Sequence, residues 1–224
     1  STGKVTAVFT GDGGASQGDF HESINVAAVW DLPVIFVVEN NGYGLSTPSS
    51  EQFRCKQFID KAIGYGIEGV QVDGNNILEV YEAVSKLKSD LTKNPRPVIL
   101  ECMTFRMRGH EEASGTKYVP QELMDMWAVK DPVLNYEEFL KKEGVLSDAE
   151  EKRLKGLVKE EINAGLEVAY AENSIEANVG TELADVYRKH DHVSVEASAS
   201  TNEMRLIDAI SDGLRESMRK FPDL

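Results

Sequence analysis

Two short segments carry the residue types that a metal–phosphate site requires. The run GDGG at 11–14 follows an apolar stretch that predicts a strand, and the run NNGYG at 40–44 follows the next such stretch. Backbone N–H groups of a glycine loop ahead of a helix bind anions. The carboxylate of Asp12 would repel a phosphate unless a divalent cation lay between them, and Mg²⁺ prefers oxygen ligands. These residue types therefore predict a Mg²⁺–diphosphate site.

The spacing of the two segments allows one site to use both. Asp12 and Asn41 are 29 positions apart, which suits one strand–helix–strand unit whose parallel strands end at the same edge of a sheet. The lysine of a nucleotide-binding P-loop and the GxGxxG spacing of a dinucleotide site are both missing, which argues against those two sites. GDG is also a common turn and NNG a common loop, so coincidence remains an alternative at this point.

A third polar segment, FRMRGH at 105–110, follows the predicted strand 97–103. Arg106, Arg108 and His110 at this strand end would neutralise diphosphate oxygens that the metal leaves exposed. A basic surface loop without a ligand is the alternative.

The elements that must position these segments form an alternating pattern in the first half of the chain. Short apolar runs alternate with stretches of helical periodicity, which predicts an α/β fold with a mainly parallel sheet flanked by helices. Two runs, at 33–38 and 97–100, are apolar without alternation, so the strands at 33–39 and 97–103 that contain them are expected to be central. The predicted strands are 5–10, 33–39, 70–72 and 97–103, and the predicted helices between them are 20–28 and 77–91.

Strand signals disappear beyond about residue 121, and a helical extension is predicted there. Helices are expected at 121–129 and 136–142, and the run from Ser147 to Glu150 is a capping box that opens a longer helix. The predicted organisation is a diphosphate- and Mg²⁺-binding α/β domain at 1–120 with its N-terminal part truncated, a helical extension at 121–188, a linker at 189–203 and a further helical region at 204–224.

Composition narrows the class of protein. The chain holds 24 Lys and Arg against 38 Asp and Glu, a net charge of −14, which disfavours nucleic-acid binding. No apolar run approaches the roughly 20 residues that cross a bilayer, so a soluble protein is expected. Cys55 and Cys102 share no metal-binding spacing and are expected to be free thiols in a reducing, cytoplasmic environment.

The GDG run followed one strand–helix–strand unit later by NN resembles the thiamine-diphosphate signature. Over wider stretches, GDGGASQGDFHE at 11–22 and ENNGYG at 39–44 are similar to the alpha subunit of the 2-oxoacid dehydrogenase first component. That family includes the pyruvate, branched-chain 2-oxoacid and acetoin dehydrogenases. The resemblance runs from residue 5 to residue 190 and implies a thiamine-diphosphate-binding fold.

The resemblance also implies a role for each matching residue. The implied Mg²⁺ ligands are Asp12, the Asn41 side chain and the Tyr43 carbonyl. His110 would in addition assist transfer of the acyl group to lipoamide, as a catalytic residue. The implied contacts to thiamine diphosphate and its metal are Gly11, Asp12, Gly13, Gly14, Asn41, Tyr43, Arg106 and His110.

The implied activity is oxidative decarboxylation of a small 2-oxoacid, with acyl transfer to a lipoyl-bearing acyltransferase component. The implied partner is a beta subunit or beta domain in an alpha₂beta₂-type oligomer, which supplies the glutamate that activates the cofactor. Residues 206–218 are similar to the first helix of that beta subunit, so 204–224 is expected to begin a beta-like region and the chain alone is expected to be inactive. The alternatives are another thiamine-diphosphate enzyme, such as a transketolase or a non-oxidative decarboxylase, and a non-catalytic subunit with a vestigial site.

Overall fold

A computed structural model describes residues 3–111, 113–186 and 202–221. The chain divides into two compact units, Ser1–Asn163 and Ala164–Leu224. The sheet and all of the predicted site residues belong to the first unit. The predicted linker at 189–203 falls almost entirely outside the described residues, and the predicted domain boundaries stay a prediction.

The strands of the described residues form one larger sheet and one small hairpin. In chain order they are β1 (Thr6–Gly11), β2 (Val34–Asn40), β3 (Tyr43–Gly44), β4 (Thr47–Pro48), β5 (Glu68–Asp73) and β6 (Val98–Met103). The helices are α1 (Gly18–Val29), α2 (Ser49–Gln52), α3 (Lys61–Tyr65), α4 (Ile77–Lys93), α5 (Gln121–Ala128), α6 (Pro132–Lys142), α7 (Asp148–Ala171), α8 (Val179–Val186) and α9 (Leu206–Lys220). Two 3₁₀ turns, Gly14–Ser16 and Phe58–Asp60, precede α1 and α3.

The larger sheet is entirely parallel and has the order β1-β2-β6-β5. The prediction of an α/β fold is confirmed, and β2 and β6 occupy the centre as their unbroken apolar runs predict. Strand β5 is longer than the predicted 70–72, because its polar residues at an edge position hide the strand pattern. All four strands end at one edge, where the loops after β1, β2 and β6 begin.

Each face of the sheet is covered by its own apolar cluster. On one face, Phe20 and Ile24 of α1 pack with Phe58 against Phe36 and other residues of the central strands. On the opposite face, helix α4 contributes Leu87 and Leu91 to a second cluster. Its other buried members, from the strands, are Ile35, Val37, Val72, Val98, Leu100 and Cys102. These two layers hold the strand ends, and therefore the loops that follow them, in a fixed arrangement.

The helical region after the sheet follows the sequence prediction with one difference. Helix α6 begins at Pro132 rather than at residue 136, because the Asp131 side chain accepts hydrogen bonds from the N–H groups of Val133 and Leu134 and Pro132 suits the first helical turn. The Ser147 hydroxyl caps α7 by accepting from the Glu150 N–H at 3.2 Å, as predicted. No helix among residues 3–111, 113–186 and 202–221 is both long and apolar enough to cross a membrane.

The second unit contains helices only, among its described residues. The helix expected in the last segment is present as α9, and its apolar stripe is exposed, with Ile210 50% and Leu214 59% accessible. Helix α8 has no counterpart in the sequence prediction, because an eight-residue helix offers too few turns for a clear period.

Candidate functional site

The loops after β1, β2 and β6 meet at one edge of the sheet and enclose a cleft of about 530 Å³, a volume typical of a small-molecule site. The sequence predicted that residues of all three loops serve one diphosphate site. The eight residues that the resemblance implied for the cofactor and its metal all line the cleft: Gly11, Asp12, Gly13, Gly14, Asn41, Tyr43, Arg106 and His110.

Asp12 lies at the base of this cleft and its side chain is fully buried. Its Oδ1 accepts a hydrogen bond from the Asn41 N–H at 3.4 Å, whereas its Oδ2 is buried without a hydrogen-bond partner. Burial raises the pKa of this carboxyl group above its ordinary value, against the opposing effect of nearby backbone N–H groups and of Arg106. An ionised carboxylate with an unpartnered buried oxygen is costly, and a cation bound to that oxygen would remove the cost.

The loop after β2 is built from two successive side-chain-to-backbone turns. The Asn40 Oδ1 accepts from the Gly42 N–H at 3.0 Å, and the Asn41 Oδ1 accepts from the Tyr43 N–H at 3.0 Å. Gly42 has φ +79°, a left-handed conformation that favours glycine. The Asn41 amide oxygen keeps a second lone pair, so it remains able to bind a metal ion.

The glycine loop after β1 approaches the loop after β2 backbone to backbone. A Cβ atom on Gly13 would lie 2.7 Å from the Cα of Gly44, and one on Gly14 would lie 2.8 Å from the Thr10 Oγ1. Only glycine fits at these two positions without displacement of a neighbour. The 3₁₀ turn Gly14–Ser16 then leads into α1, whose N-cap residue Gln17 makes no side-chain cap. The Phe20 N–H donates to the Asp19 Oδ1 at 2.9 Å, which leaves the N–H groups of Gly18 and Asp19 available to an anion.

Arg106 links the third loop to the other two. Its Nη2 donates to the Leu45 carbonyl oxygen at 2.7 Å and to the Tyr118 hydroxyl at 3.1 Å, and its Nη1 lies 3.0 Å from the His110 Nδ1. Its Nε is buried and has no hydrogen-bond partner. The guanidinium is therefore held in place by three groups and retains an unused donor beside the cleft.

Other predicted residues fall outside the cleft. Arg108 is exposed and does not line it, so the expectation that two arginines face the same anion is not met. A bend of the chain at 107–108 lies between Arg106 and the residues that follow. His21 of α1, which follows the glycine loop, also lies outside the cleft and contacts the Tyr65 hydroxyl of α3.

Several residues of the cleft had no signal in the sequence. Leu45, Thr47 and Gln52 line it as well, from the small β3–β4 hairpin and the short helix that follows. Gln17 and Gly44 also line it, and these two lie within the quoted motifs although no role was predicted for them. Gln52 donates to the Thr47 carbonyl oxygen, and its side chain lies against Gly44. The turn residues after Asn41 indicate a hairpin, but they do not indicate where that hairpin folds.

The donor set of the cleft suits a hard divalent cation that shares its ligands with a phosphate. Among the described residues, no group of three or more His, Cys, Asp or Glu side chains forms a metal cluster. The cleft offers instead one carboxylate, the side-chain amide of Asn41 and backbone carbonyls, next to backbone N–H donors and a guanidinium. Mg²⁺ commonly binds one or two protein ligands together with phosphate oxygens and water, so these residues fit a Mg²⁺–diphosphate pair.

Comparison with known proteins identifies the family. Residues 1–178 match the sequence model of the family described as dehydrogenase E1 component. The chain belongs to this family. The residues that match the E1-family model include the whole sheet, the cleft and helices α5 to α7.

Relatives of this chain include alpha subunits named for pyruvate dehydrogenase and for 2-oxoisovalerate dehydrogenase. The chain is 41% identical over 170 residues to the pyruvate dehydrogenase E1 component subunit alpha of Bacillus subtilis, which covers 75% of this chain and 46% of that protein. It is 36% identical over 182 residues to the mitochondrial 2-oxoisovalerate dehydrogenase subunit alpha 2 of Arabidopsis thaliana, covering 80% and 38%. It is 36% identical over 184 residues to the Staphylococcus aureus pyruvate dehydrogenase E1 component subunit alpha, covering 81% and 49%. The chain thus spans about half or less of these relatives.

Proposed function

We propose that the cleft binds thiamine diphosphate together with Mg²⁺ and forms the diphosphate half of the active site of a 2-oxoacid dehydrogenase. The observation that carries the proposal is the unpartnered buried Oδ2 of Asp12 beside a glycine loop, in a chain of the E1 family. The relatives named for pyruvate and 2-oxoisovalerate support a small 2-oxoacid as the substrate.

Each side chain of the cleft has a defined role in this proposal. Asp12, the Asn41 amide oxygen and the Tyr43 carbonyl oxygen hold Mg²⁺. Arg106 and His110 neutralise the diphosphate oxygens that Mg²⁺ leaves free, since a guanidinium pairs well with phosphate.

The glycine loop completes the anion site. Gly11, Gly13 and Gly14 bring backbone N–H groups close to the diphosphate, because no side chain stands in the way at these positions.

The cofactor, when bound, would supply the nucleophilic carbon and stabilise the carbanion that CO₂ loss leaves. The residues of this chain therefore position the cofactor and neutralise its diphosphate rather than react themselves.

His110 is exposed at the mouth of the cleft and is held by Arg106, which suits a group that exchanges a proton during acyl transfer to a lipoyl carrier. We further propose, from membership of the E1 family, that the chain pairs with a beta subunit or beta domain in an alpha₂beta₂-type assembly and passes the acyl group to a lipoyl-bearing acyltransferase. The free thiols Cys55 and Cys102 favour a reducing compartment such as the cytoplasm.

Calorimetric titration of thiamine diphosphate tests the proposal. The protein is titrated first with Mg²⁺ present, then with EDTA, and both titrations are repeated after addition of a separately expressed beta region. Binding that requires Mg²⁺ supports the metal–diphosphate site, and tighter binding with the beta region supports a site shared between two chains. Absence of binding with Mg²⁺ and the beta region both present would overturn the proposal.

A further inference from the structure

Behind the cleft, in the middle of the sheet, a glutamate is completely buried. Glu101 lies on the central strand β6, opposite Val38 of β2 and Gln71 of β5, and its side chain has no solvent exposure. It does not line the cleft. Val38 and Ile99, which lie near it on this face of the sheet, belong to a buried apolar cluster, so a charged side chain there requires a specific set of partners.

All of the hydrogen bonds recorded for Glu101 come from N–H donors. Its Oε1 accepts from the Asn40 Nδ2 at 2.7 Å and the Phe58 N–H at 3.2 Å, and its Oε2 accepts from the Ile59 N–H at 3.2 Å and the Gln71 Nε2 at 2.9 Å. An ionised carboxylate accepts hydrogen bonds and donates none, so it matches all four partners. Glu101 therefore joins both neighbouring strands and the 3₁₀ turn before α3.

The partner on β2 connects Glu101 to the cleft. The amide nitrogen of Asn40 donates to Glu101, and its amide oxygen accepts from the Gly42 N–H at 3.0 Å. Because the carboxylate only accepts and the Gly42 N–H only donates, only one orientation of the Asn40 amide satisfies both. Asn40 is 6% exposed, and its own carbonyl oxygen accepts from the Thr104 N–H at 3.0 Å. These contacts of Asn40 therefore hold the turn that carries Asn41 and Tyr43.

We propose that Glu101 is a positioning residue for the metal-binding turn: by orienting Asn40, it holds Asn41 and Tyr43 in the geometry that binds Mg²⁺. This inference rests on the proposed function of the cleft. Glu101 does not line the cleft, and among its four hydrogen-bond partners Asn40 is the one that belongs to the metal-binding turn, so its effect on the metal is expected to pass through Asn40. Groups that orient metal ligands from behind commonly change metal affinity by about 10–100-fold when they are mutated.

Glu101→Gln tests the inference with almost no change in volume. One carboxylate oxygen becomes an amide NH₂, which then faces two N–H donors whichever way the side chain is turned. We expect the Mg²⁺ concentration for half-maximal thiamine-diphosphate binding to rise by roughly 10–100-fold in the native protein. Turnover at saturating Mg²⁺ and cofactor is expected to recover towards the wild-type value, because Glu101 contacts no reacting atom.

Gln71→Ala is the matched control for a purely structural role. Gln71 donates to the same carboxylate but belongs to β5 and makes no recorded contact with the Asn40 turn. We expect Gln71→Ala to leave the Mg²⁺ dependence unchanged. A shift in Gln71→Ala as large as that in Glu101→Gln would overturn the inference, since it would show that general loosening of the core is sufficient.

Asn40→Ala tests the connection itself and keeps the inference testable if Glu101→Gln does not fold. We expect Asn40→Ala to raise the Mg²⁺ requirement to a similar extent, and the double variant to raise it no further, because both changes break one connected pair of contacts. Unchanged Mg²⁺ dependence in Asn40→Ala, or full additivity in the double variant, would refute the positioning role. Failure of the wild-type protein to show Mg²⁺-dependent binding would instead refute the proposed function.

Discussion

The backbones of Gly13 and Gly44 lie so close together that a Cβ atom on Gly13 would be 2.7 Å from the Cα of Gly44. This contact joins the glycine loop after β1 to the hairpin after β2 and sets the width of the cleft between them. A methyl group at position 13 meets backbone, which cannot rotate aside as a side chain can.

Gly13→Ala is expected to separate these two loops. The overpacking is expected to cost about 1–3 kcal/mol of folding free energy. Cofactor affinity is expected to fall as well, because the loops that bind metal and diphosphate move apart. Denaturant unfolding and calorimetric titration measure the two effects.

Gly64→Ala provides the control for that substitution. Gly64 lies in α3, where a Cβ atom would meet nothing within 4 Å. Alanine in a helix is favoured over glycine by roughly 0.5–1 kcal/mol, so this variant is expected to be slightly stabilised with unchanged cofactor affinity. Equal losses of affinity in the two variants would contradict the steric argument.

Asp12→Asn is expected to abolish Mg²⁺-dependent binding without destabilising the metal-free fold. The asparagine keeps the oxygen that accepts from the Asn41 N–H and removes a buried charge whose second oxygen has no partner. Calorimetry with and without Mg²⁺ measures the first effect, and thermal unfolding in EDTA measures the second.

Asp19→Asn is the matched variant with the same change of charge. Asp19 lies in the exposed first turn of α1, close in sequence to the glycine loop. The Mg²⁺ dependence of cofactor binding by Asp19→Asn is expected to equal that of the wild-type protein. Retained Mg²⁺-dependent binding in Asp12→Asn would show that the carboxylate is not a metal ligand.

Arg106→Lys is expected to weaken thiamine-diphosphate binding by about 10–100-fold, the effect of losing a charge-assisted hydrogen bond of ~1.5–3 kcal/mol. A lysine cannot contact the Leu45 carbonyl, the Tyr118 hydroxyl and His110 at the same time, so the loop from 105 to 119 also loses its anchor. Titration measures the affinity, and the rate of tryptic cleavage at Lys117 reports release of the loop.

Arg108→Lys controls for charge in the same loop. Arg108 is exposed and lies outside the cleft, so neither affinity nor cleavage at Lys117 is expected to change. A loss of affinity in Arg108→Lys comparable to that in Arg106→Lys would indicate a diffuse electrostatic effect rather than a specific contact.

The junction of α6 and α7 is expected to weaken in acid. Lys141 pairs with Glu137 and Asp148 at 3.1 Å and also with Glu151, and Lys155 joins the same group. Hydrogen bonds from Lys141 and Lys155 lower the pKa of Glu151 from 4.5 to about 2. A carboxylate with a lowered pKa stabilises the fold above its unfolded-state pKa, and this contribution disappears as the pH falls from 4.5 to about 2.

Unfolding midpoints of wild type and Glu151→Gln across that pH range test this expectation. The wild-type protein is expected to be the more stable at pH 6, and the difference is expected to vanish near pH 2 and to shrink in high salt. Glu150→Gln removes a pair with Arg153 within α7 and is expected to have a smaller effect, because it does not connect two helices. If the difference in unfolding midpoint between wild type and Glu151→Gln does not change with pH, the effect of Glu151 comes from packing and not from its charge.

Local sequence patterns predicted the framework of the site well. The unbroken apolar runs at 33–38 and 97–100 predicted the two central strands, because strands covered on both faces need no polar alternation. The glycine run predicted a loop between a strand and a helix, and the 29-residue separation of Asp12 and Asn41 predicted that both reach one edge. These inferences depend only on residue type and short-range spacing.

Contacts between distant segments were beyond those patterns. Leu45 and Tyr118 had no sequence signal, since each acts on Arg106 through a backbone carbonyl or a hydroxyl from a different loop. The capping box predicted the start of α7, but nothing local showed that apolar residues of this helix such as Leu157 and Ile162 would be exposed. Periodicity indicates which residues share a face, but burial depends on what packs against it.

The sequence by itself determined the chemistry of the cleft: a carboxylate, an amide oxygen, a glycine loop and a guanidinium at the ends of parallel strands. Only the tertiary structure decided how these groups are held. Glu101 stands in the apolar run of β6 without any distinguishing local pattern, and its four donors come from positions 40, 58, 59 and 71. A buried charge acquires a role from the groups that pack around it, and that set exists only once the chain has folded.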